Sequence, residues 1–150
     1  MKHWLMKSEP DAFSIADLQR TTTEPWSGVR NYQARNFMRD DMRVGDKILF
    51  YHSNANPSGV AGLATVASAA YPDATQFDVG SDYFDPKATL QSPRWFLVDV
   101  RFSRIFPRTI PLAELRLIPD LVDMLLFQRS RLSVQPVEPR HYRLIAALGS

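Results

Sequence analysis

Between Trp95 and Phe106 the chain alternates. Phe96, Val98, Val100 and Phe102 fall on one side of an extended backbone, and Asp99, Arg101 and Ser103 fall on the other. A helix would scatter these residues around its axis. The segment therefore reads as a strand, predicted over Arg94–Phe106 and central to a sheet, with its four apolar residues pointing inward.

Further elements follow from local signals. His3–Lys7 is strand-like and ends before Pro10. Ser14-Ile15-Ala16-Asp17 has capping-box spacing and starts a short helix. Thr21–Gly28 reads as loop. Asn31 caps a helix with Ala34, Phe37 and Met38 on its apolar face. Val44-Gly45-Asp46 turns into a buried-type strand, Lys47–His52. The cluster Asn54–Gly59 then returns the chain as Val60–Ala67, making a hairpin. Residues 71–93 read as a long ordered loop. Pro111 begins a helix to Leu117, Asp120–Phe127 forms another, and Leu132–Val134 is a strand stopped by Pro136. Pro139–Leu148 is a final helix closed by Gly149. Short strands and helices without βαβ regularity predict an α+β fold around a small, mostly antiparallel sheet or barrel. The absence of repeats and linkers predicts one domain over residues 1–150.

Composition narrows the function. Hydrophobic residues are 45% of the 150 and charged residues 23%, which excludes a disordered tail. There is no cysteine, so a disulfide scaffold, a thiol nucleophile and a Cys-type zinc site are excluded. No apolar run approaches the roughly 20 residues that span a bilayer. The start shows no leader pattern, so the expected location is cytoplasmic. The net charge is only +2, but it divides unevenly: +1 over residues 1–50, −3 over 51–100 and +4 over 101–150. Arg supplies 14 of the 18 basic residues, a weak pointer to phosphate contacts.

His3, His52 and His141 lack metal-ligand spacing, and there is no phosphate-binding Gly loop or nucleophile motif, so no metal or cofactor is expected. His52 and Ser53 are adjacent on a strand and point to opposite faces, which argues against a catalytic pair. An aromatic and basic constellation is more informative: Trp26 in a Pro-Trp-Ser-Gly loop, then Arg30, Tyr32, Arg35, Phe37 and Arg39, with Tyr51 and Trp95 further on. Periodic rings such as Phe37, Phe50 and Phe102 read as core. Trp26 has no periodic apolar company, so pocket and core readings stand side by side.

The motifs resemble the EVE domain family. They are Trp4-Leu5-Met6-Lys7-Ser8-Glu9-Pro10-Asp11, Trp26-Ser27-Gly28-Val29-Arg30-Asn31-Tyr32-Gln33-Ala34-Arg35-Asn36-Phe37-Met38, Phe50-Tyr51-His52-Ser53, Pro93-Arg94-Trp95-Phe96 and Arg131-Leu132-Ser133-Val134-Gln135-Pro136. Asn54–Gly59 and Ile110-Pro111 depart from the pattern. The resemblance implies a PUA-like fold, a small β-barrel flanked by helices, related to the YTH domains that hold a methylated base in an aromatic cage. It implies a nucleic acid containing a modified base as partner, chiefly a modified cytosine in DNA, with RNA as the alternative. On that basis Trp26 stacks on the base and Tyr32, Phe37 or Tyr51 forms a second wall. Ser8, Asn31, His52 and Ser53 are candidates for hydrogen bonds to the base, and Lys7, Arg30, Arg35 and Arg129 or Arg131 for phosphates. Competing readings are a pocket for a free nucleoside and, with less support, a subunit of a nucleic-acid-processing enzyme. Lys7 and Ser8 also read as strand-end polar groups, and Arg129 and Arg131 as solvated surface charge.

Overall fold

Ile48, Leu49, Phe50 and Tyr51 are four successive apolar residues, and a strand so composed must be covered on both faces. The computed structural model, which describes residues 1–150, shows how this is done. Strand β3 (Lys47–His52) lies beside β1 (His3–Ser8) in parallel and β4 (Gly59–Val66) in antiparallel register. Trp4, Met6, Ile48 and Phe50 enter one core, while Leu5, Leu49 and Tyr51 enter another on the opposite face. The first core is covered by α1 (Ile15–Thr21) and α2 (Tyr32–Asn36), which continues as a π-helical turn through Phe37–Asp41. The second is covered by α3 (Leu112–Arg116), α4 (Leu125–Gln128) and α5 (Pro139–Leu148).

Two edge strands complete the sheet. They are β2 (Thr23–Pro25), paired with β7 (Asp99–Pro111), and β8 (Val134–Val137), paired with β1. The order β2-β7-β4-β3-β1-β8 leaves β2 and β8 as open edges. The architecture is thus α+β with a curled, open, mixed sheet, mostly antiparallel. Register breaks between Phe50 and Tyr51 and twice along β4 mark bulges of the kind that increase twist and curl.

Several expectations are corrected here. The predicted central strand is divided: Phe96–Leu97 forms β6, pairing with the short β5 (Tyr71–Pro72), and β7 runs on to Pro111, one place from the sheet edge. Of its predicted inward set only Val98 and Val100 are fully buried; Phe96 and Phe102 are half-buried. The loops predicted over 21–28 and 71–93 each contain a short strand. Pro136 does not stop a strand but sits within β8, which tolerates it as an edge. The helix predicted over 120–127 is two pieces, Pro119–Leu121 and α4, separated by the extended backbone of Met124.

Local signals elsewhere agree with the structure. Both halves of the Ser14 capping box form: Ser14 Oγ accepts from Asp17 N–H at 3.1 Å and Asp17 Oδ2 from Ser14 N–H at 2.9 Å. Asn31 Oδ1 accepts from Ala34 N–H at 2.9 Å. Gly62 lets α1 reach the sheet, because a Cβ there would lie 2.4 Å from the Arg104 carbonyl oxygen and 2.8 Å from Ile15.

Candidate functional site

The first core reaches the surface at Trp26. Its backbone N–H donates to Val98 O at 3.0 Å, which fixes the loop after β2 to the sheet. Its ring meets Phe50 and Phe13 edge-on, at centroid distances of 5.5 and 6.3 Å. The side chain is 7% exposed, so it is core on most sides. Its remaining edge lines a cleft of about 530 Å³, bounded by the end of β1, the segment before α1, the loop 24–30 and Tyr83.

A buried carboxylate holds that loop. Asp73 accepts from Gly28 N–H at 2.8 Å, Arg30 Nη1 at 3.1 Å, and both the N–H and the hydroxyl of Thr75. Burial alone would raise the Asp73 pKa, but these bonds, those of Thr75 foremost, hold it below the usual carboxylate range. Gly28 adopts φ +85°, and a Cβ there would lie 2.7 Å from the Tyr83 ring. Arg30 also donates to the Tyr83 carbonyl at 2.8 Å and lies between the Tyr83 and Trp95 rings, 5.5 and 5.3 Å from their centroids. The long segment 71–95 is thereby fastened over the cleft. Gln76 closes it, donating to the carbonyls of Asp73 and Trp95 and accepting from the N–H groups of Arg94 and Trp95.

A second depression, of about 400 Å³, adjoins the first across the end of β1. The two share Lys7, Ser8, Glu9 and Ser133. The first contains Glu24 and Trp26, whereas the second contains Tyr51, Ser53, Arg116 and Arg131. Lys7 stands between them, its Nζ donating to Ser130 O at 2.7 Å and lying 5.6 Å from the Tyr51 ring centroid. Burial pulls its pKa below the ordinary value.

The residues singled out from sequence thus divide. Trp26, Ser8, Lys7 and Arg30 line the first cleft. Ser8 Oγ is committed to Phe13 O at 2.6 Å, and Arg30 to the partners above. Tyr51, Ser53 and Arg131 line the second depression. The others lie outside both. Asn31 is a helix cap, and Tyr32 stacks on Trp95 at 4.8 Å. Phe37 packs on Trp4 at 5.5 Å. His52 Nε2 accepts from Ile15 N–H at 3.1 Å, so His52 and Ser53 form no pair. Arg35 donates to Arg94 O at 2.7 Å, and Arg129 to Gln33 Oε1 at 2.6 Å.

Sequence reasoning passed over Phe13, Glu24, Tyr83 and Ser133 in the first cleft and Arg116 in the second. Glu24 was within reach, standing two residues before Trp26 in the same short segment. Tyr83 carries no such signal, because its place depends on a fold-back of some fifty residues. Away from these depressions, ligand atoms of Asp123, Glu138 and His141 lie within 4.8 Å of one another. Arg140 pairs with both carboxylates at 2.8 Å, which occupies them without a metal.

Known proteins resemble the chain over nearly its whole length. The family model described as EVE domain matches residues 2–148. Thymocyte nuclear protein 1 of Homo sapiens is 44% identical over 165 residues, covering 97% of this chain and 73% of that protein. A hypothetical protein from Leishmania major has a solved structure with a TM-score of 0.96 and 51% identity, covering 99% of this chain and 94% of that one. The human THYN1 protein, solved in complex with 5-methylcytosine containing DNA, has a TM-score of 0.94 and 42% identity, covering 100% and 98%. The expected cytoplasmic location is corrected by these findings, since the Homo sapiens relative is named as a nuclear protein.

Proposed function

The chain belongs to the EVE domain family, and from that membership we propose that it binds a modified cytosine in DNA, receiving the extruded base in the cleft beside Trp26. It acts as a binding module and not as an enzyme. We further propose that residues 1–150 work as one domain of PUA-like type. The observation that carries the reading is a rigid Trp26 edge on an open cleft of about 530 Å³, the size at which small-molecule sites occur, about 300–1,000 Å³. The human relative crystallised with 5-methylcytosine DNA supports DNA as the nucleic acid.

In this reading Trp26 contributes stacking, worth about 1–3 kcal/mol per base. Tyr83, exposed at the cleft rim, is the facing wall. The adjoining depression takes the backbone: Lys7, Arg116 and Arg131 contact phosphate there, while Arg30 serves to brace the loop. A free modified nucleoside is the second reading. It is favoured by the carboxylates of Glu9 and Glu24 on the cleft, which repel a phosphate.

The test is titration of the protein with oligonucleotides differing only by 5-methylcytosine or cytosine. A fitted pocket gives a preference of about 10- to 200-fold for one such group. Trp26→Phe keeps a ring in the core but shortens the cleft wall, and is expected to lose the preference while melting near the wild type. Equal affinity of the wild type for the two oligonucleotides would overturn the reading. An unaltered preference in Trp26→Phe would remove Trp26 from it.

A further inference from the structure

A methyl-reading pocket has a competitor problem. Thymine carries the same 5-methyl group as 5-methylcytosine and is abundant in any DNA. The two bases differ at position 4, where cytosine presents an amino donor and thymine a carbonyl acceptor, and at N3, an acceptor in cytosine and an N–H donor in thymine. Shape and stacking at Trp26 cannot separate them. If the proposed function holds, the cleft must offer an acceptor at that position.

The cleft has two side-chain carboxylates, Glu9 and Glu24. Glu9 is exposed, and its Oε1 already accepts from the Asn54 amide. Glu24 is half-buried and its carboxylate forms no hydrogen bond or ion pair within the chain, in a protein where most other cleft polar groups are committed. Its backbone is fixed opposite Val100 in β2, and Trp26, which follows just beyond the strand, lines the same cleft. A carboxylate held on a strand beside the stacking ring, with its oxygens free, suits the edge of a base lying on that ring.

We infer that Glu24 is the specificity-determining residue that accepts a hydrogen bond from the 4-amino group of the bound cytosine and so excludes thymine. An ionised carboxylate has acceptors only. Against cytosine it gains a charge-assisted bond. Against thymine held in the same pose it faces the O4 lone pairs with no proton between them, the N3–H lying one position further along the edge, and a half-buried acceptor goes unpaired. Replacement by glutamine abolishes this sign, because the amide can turn either its oxygen or its NH₂ towards the base.

The inference rests on the proposed function, and the experiment separates the two. Single-stranded oligonucleotides identical but for one 5-methylcytosine, cytosine or thymine are titrated by fluorescence anisotropy, which removes any cost of breaking a base pair. The wild type is expected to bind 5-methylcytosine more tightly than thymine by at least about fivefold, the discrimination of one good base contact. Glu24→Gln is expected to bring that ratio towards one, chiefly by tightening thymine, while keeping the 5-methylcytosine over cytosine preference and the melting temperature. Glu9→Gln is expected to leave the ratio alone. A wild type indifferent to the methyl group overturns the function and the inference together. A wild type that reads the methyl but binds thymine equally well overturns Glu24 alone. So does a Glu24→Gln variant with the wild-type ratio, or a change of ratio that follows Glu9 instead.

Discussion

On one face of the sheet, Trp4, Trp26, Phe37 and Phe50 meet as tilted and edge-on rings. Trp4 Nε1 donates to the buried Asp46 at 3.0 Å. On the other face Leu5, Leu49, Val60, Ile110, Leu115 and Ile145 predominate, and the buried rings of Tyr51, Phe106 and Tyr142 stand among them without stacking on one another. Both faces exclude water, so both stabilise the fold by the same burial. They differ in what reaches the surface. Aliphatic side chains end inside the core. Edge-to-face rings have preferred orientations, and a ring fixed on two sides can present its third side as a rigid wall. Trp26 between Phe13 and Phe50 is such a ring. The lesson is that the interlocked rings of the first face form the back of the cleft, whereas the second face reaches the adjoining depression through Tyr51, Leu112 and Leu126.

Truncation should break that comparison most forcefully. Trp26→Ala is expected to cost about 3–5 kcal/mol and Leu115→Ala about 2–5 kcal/mol in denaturant unfolding. Only Trp26→Ala should also abolish the preference for 5-methylcytosine in titrations of the folded fraction. A changed preference in Leu115→Ala would mean that the two faces are not functionally separate.

Acid should act next, through His52 beside Phe50 on the first face and His3 beside Tyr142 on the second. Burial depresses the pKa of His52 below its ordinary 6.5, and its neutral Nε2 accepts the first N–H of α1. His3 is depressed too, again mainly by burial. In each case the unfolded chain takes up its proton at the higher pH. The stability these groups contribute is therefore complete above about pH 6.5 and is lost as pH falls through the folded value. Melting temperatures from pH 8 to pH 5 should drop below pH 6.5, and His52→Gln should flatten the drop. A wild-type curve level to pH 5 would show that α1 does not depend on this bond.

The smallest effect concerns the adjoining depression. Affinity for an oligonucleotide should weaken with salt, and Arg116→Gln and Arg131→Gln should each reduce the log–log slope by about 0.7–0.9. With a net charge of +2, a wild-type slope of only about two to four such contacts is expected. A slope near zero would favour the free-nucleoside reading.

The sequence by itself determined what is local. The Ser14 box, the Asn31 cap, the hairpin of β3 and β4, and the helix Pro139–Leu148 between Pro139 and Gly149 all appear where their residues indicate, because each depends on neighbours a few positions away. The motif resemblance likewise identified the family and drew attention to Trp26, which lines the cleft. What only the tertiary structure decided is what distant segments do to one another. β2 and β5 are two or three residues long and are strands only because β7 and β6 lie beside them. The pairing of Phe96 with Pro72 in a separate ribbon leaves that ring half-buried despite its alternating position. Arg30, expected to bind phosphate, is instead drawn to Asp73 and Tyr83, more than forty residues along the chain. The cleft itself joins the end of β1, the loop after β2, Tyr83 and Ser133. No pattern of neighbours encodes that meeting. It follows from closing long loops against a common core, and what offsets the closure is the burial of the Trp26 and Trp95 rings together with the hydrogen bonds that Asp73 and Gln76 make to the loop backbone.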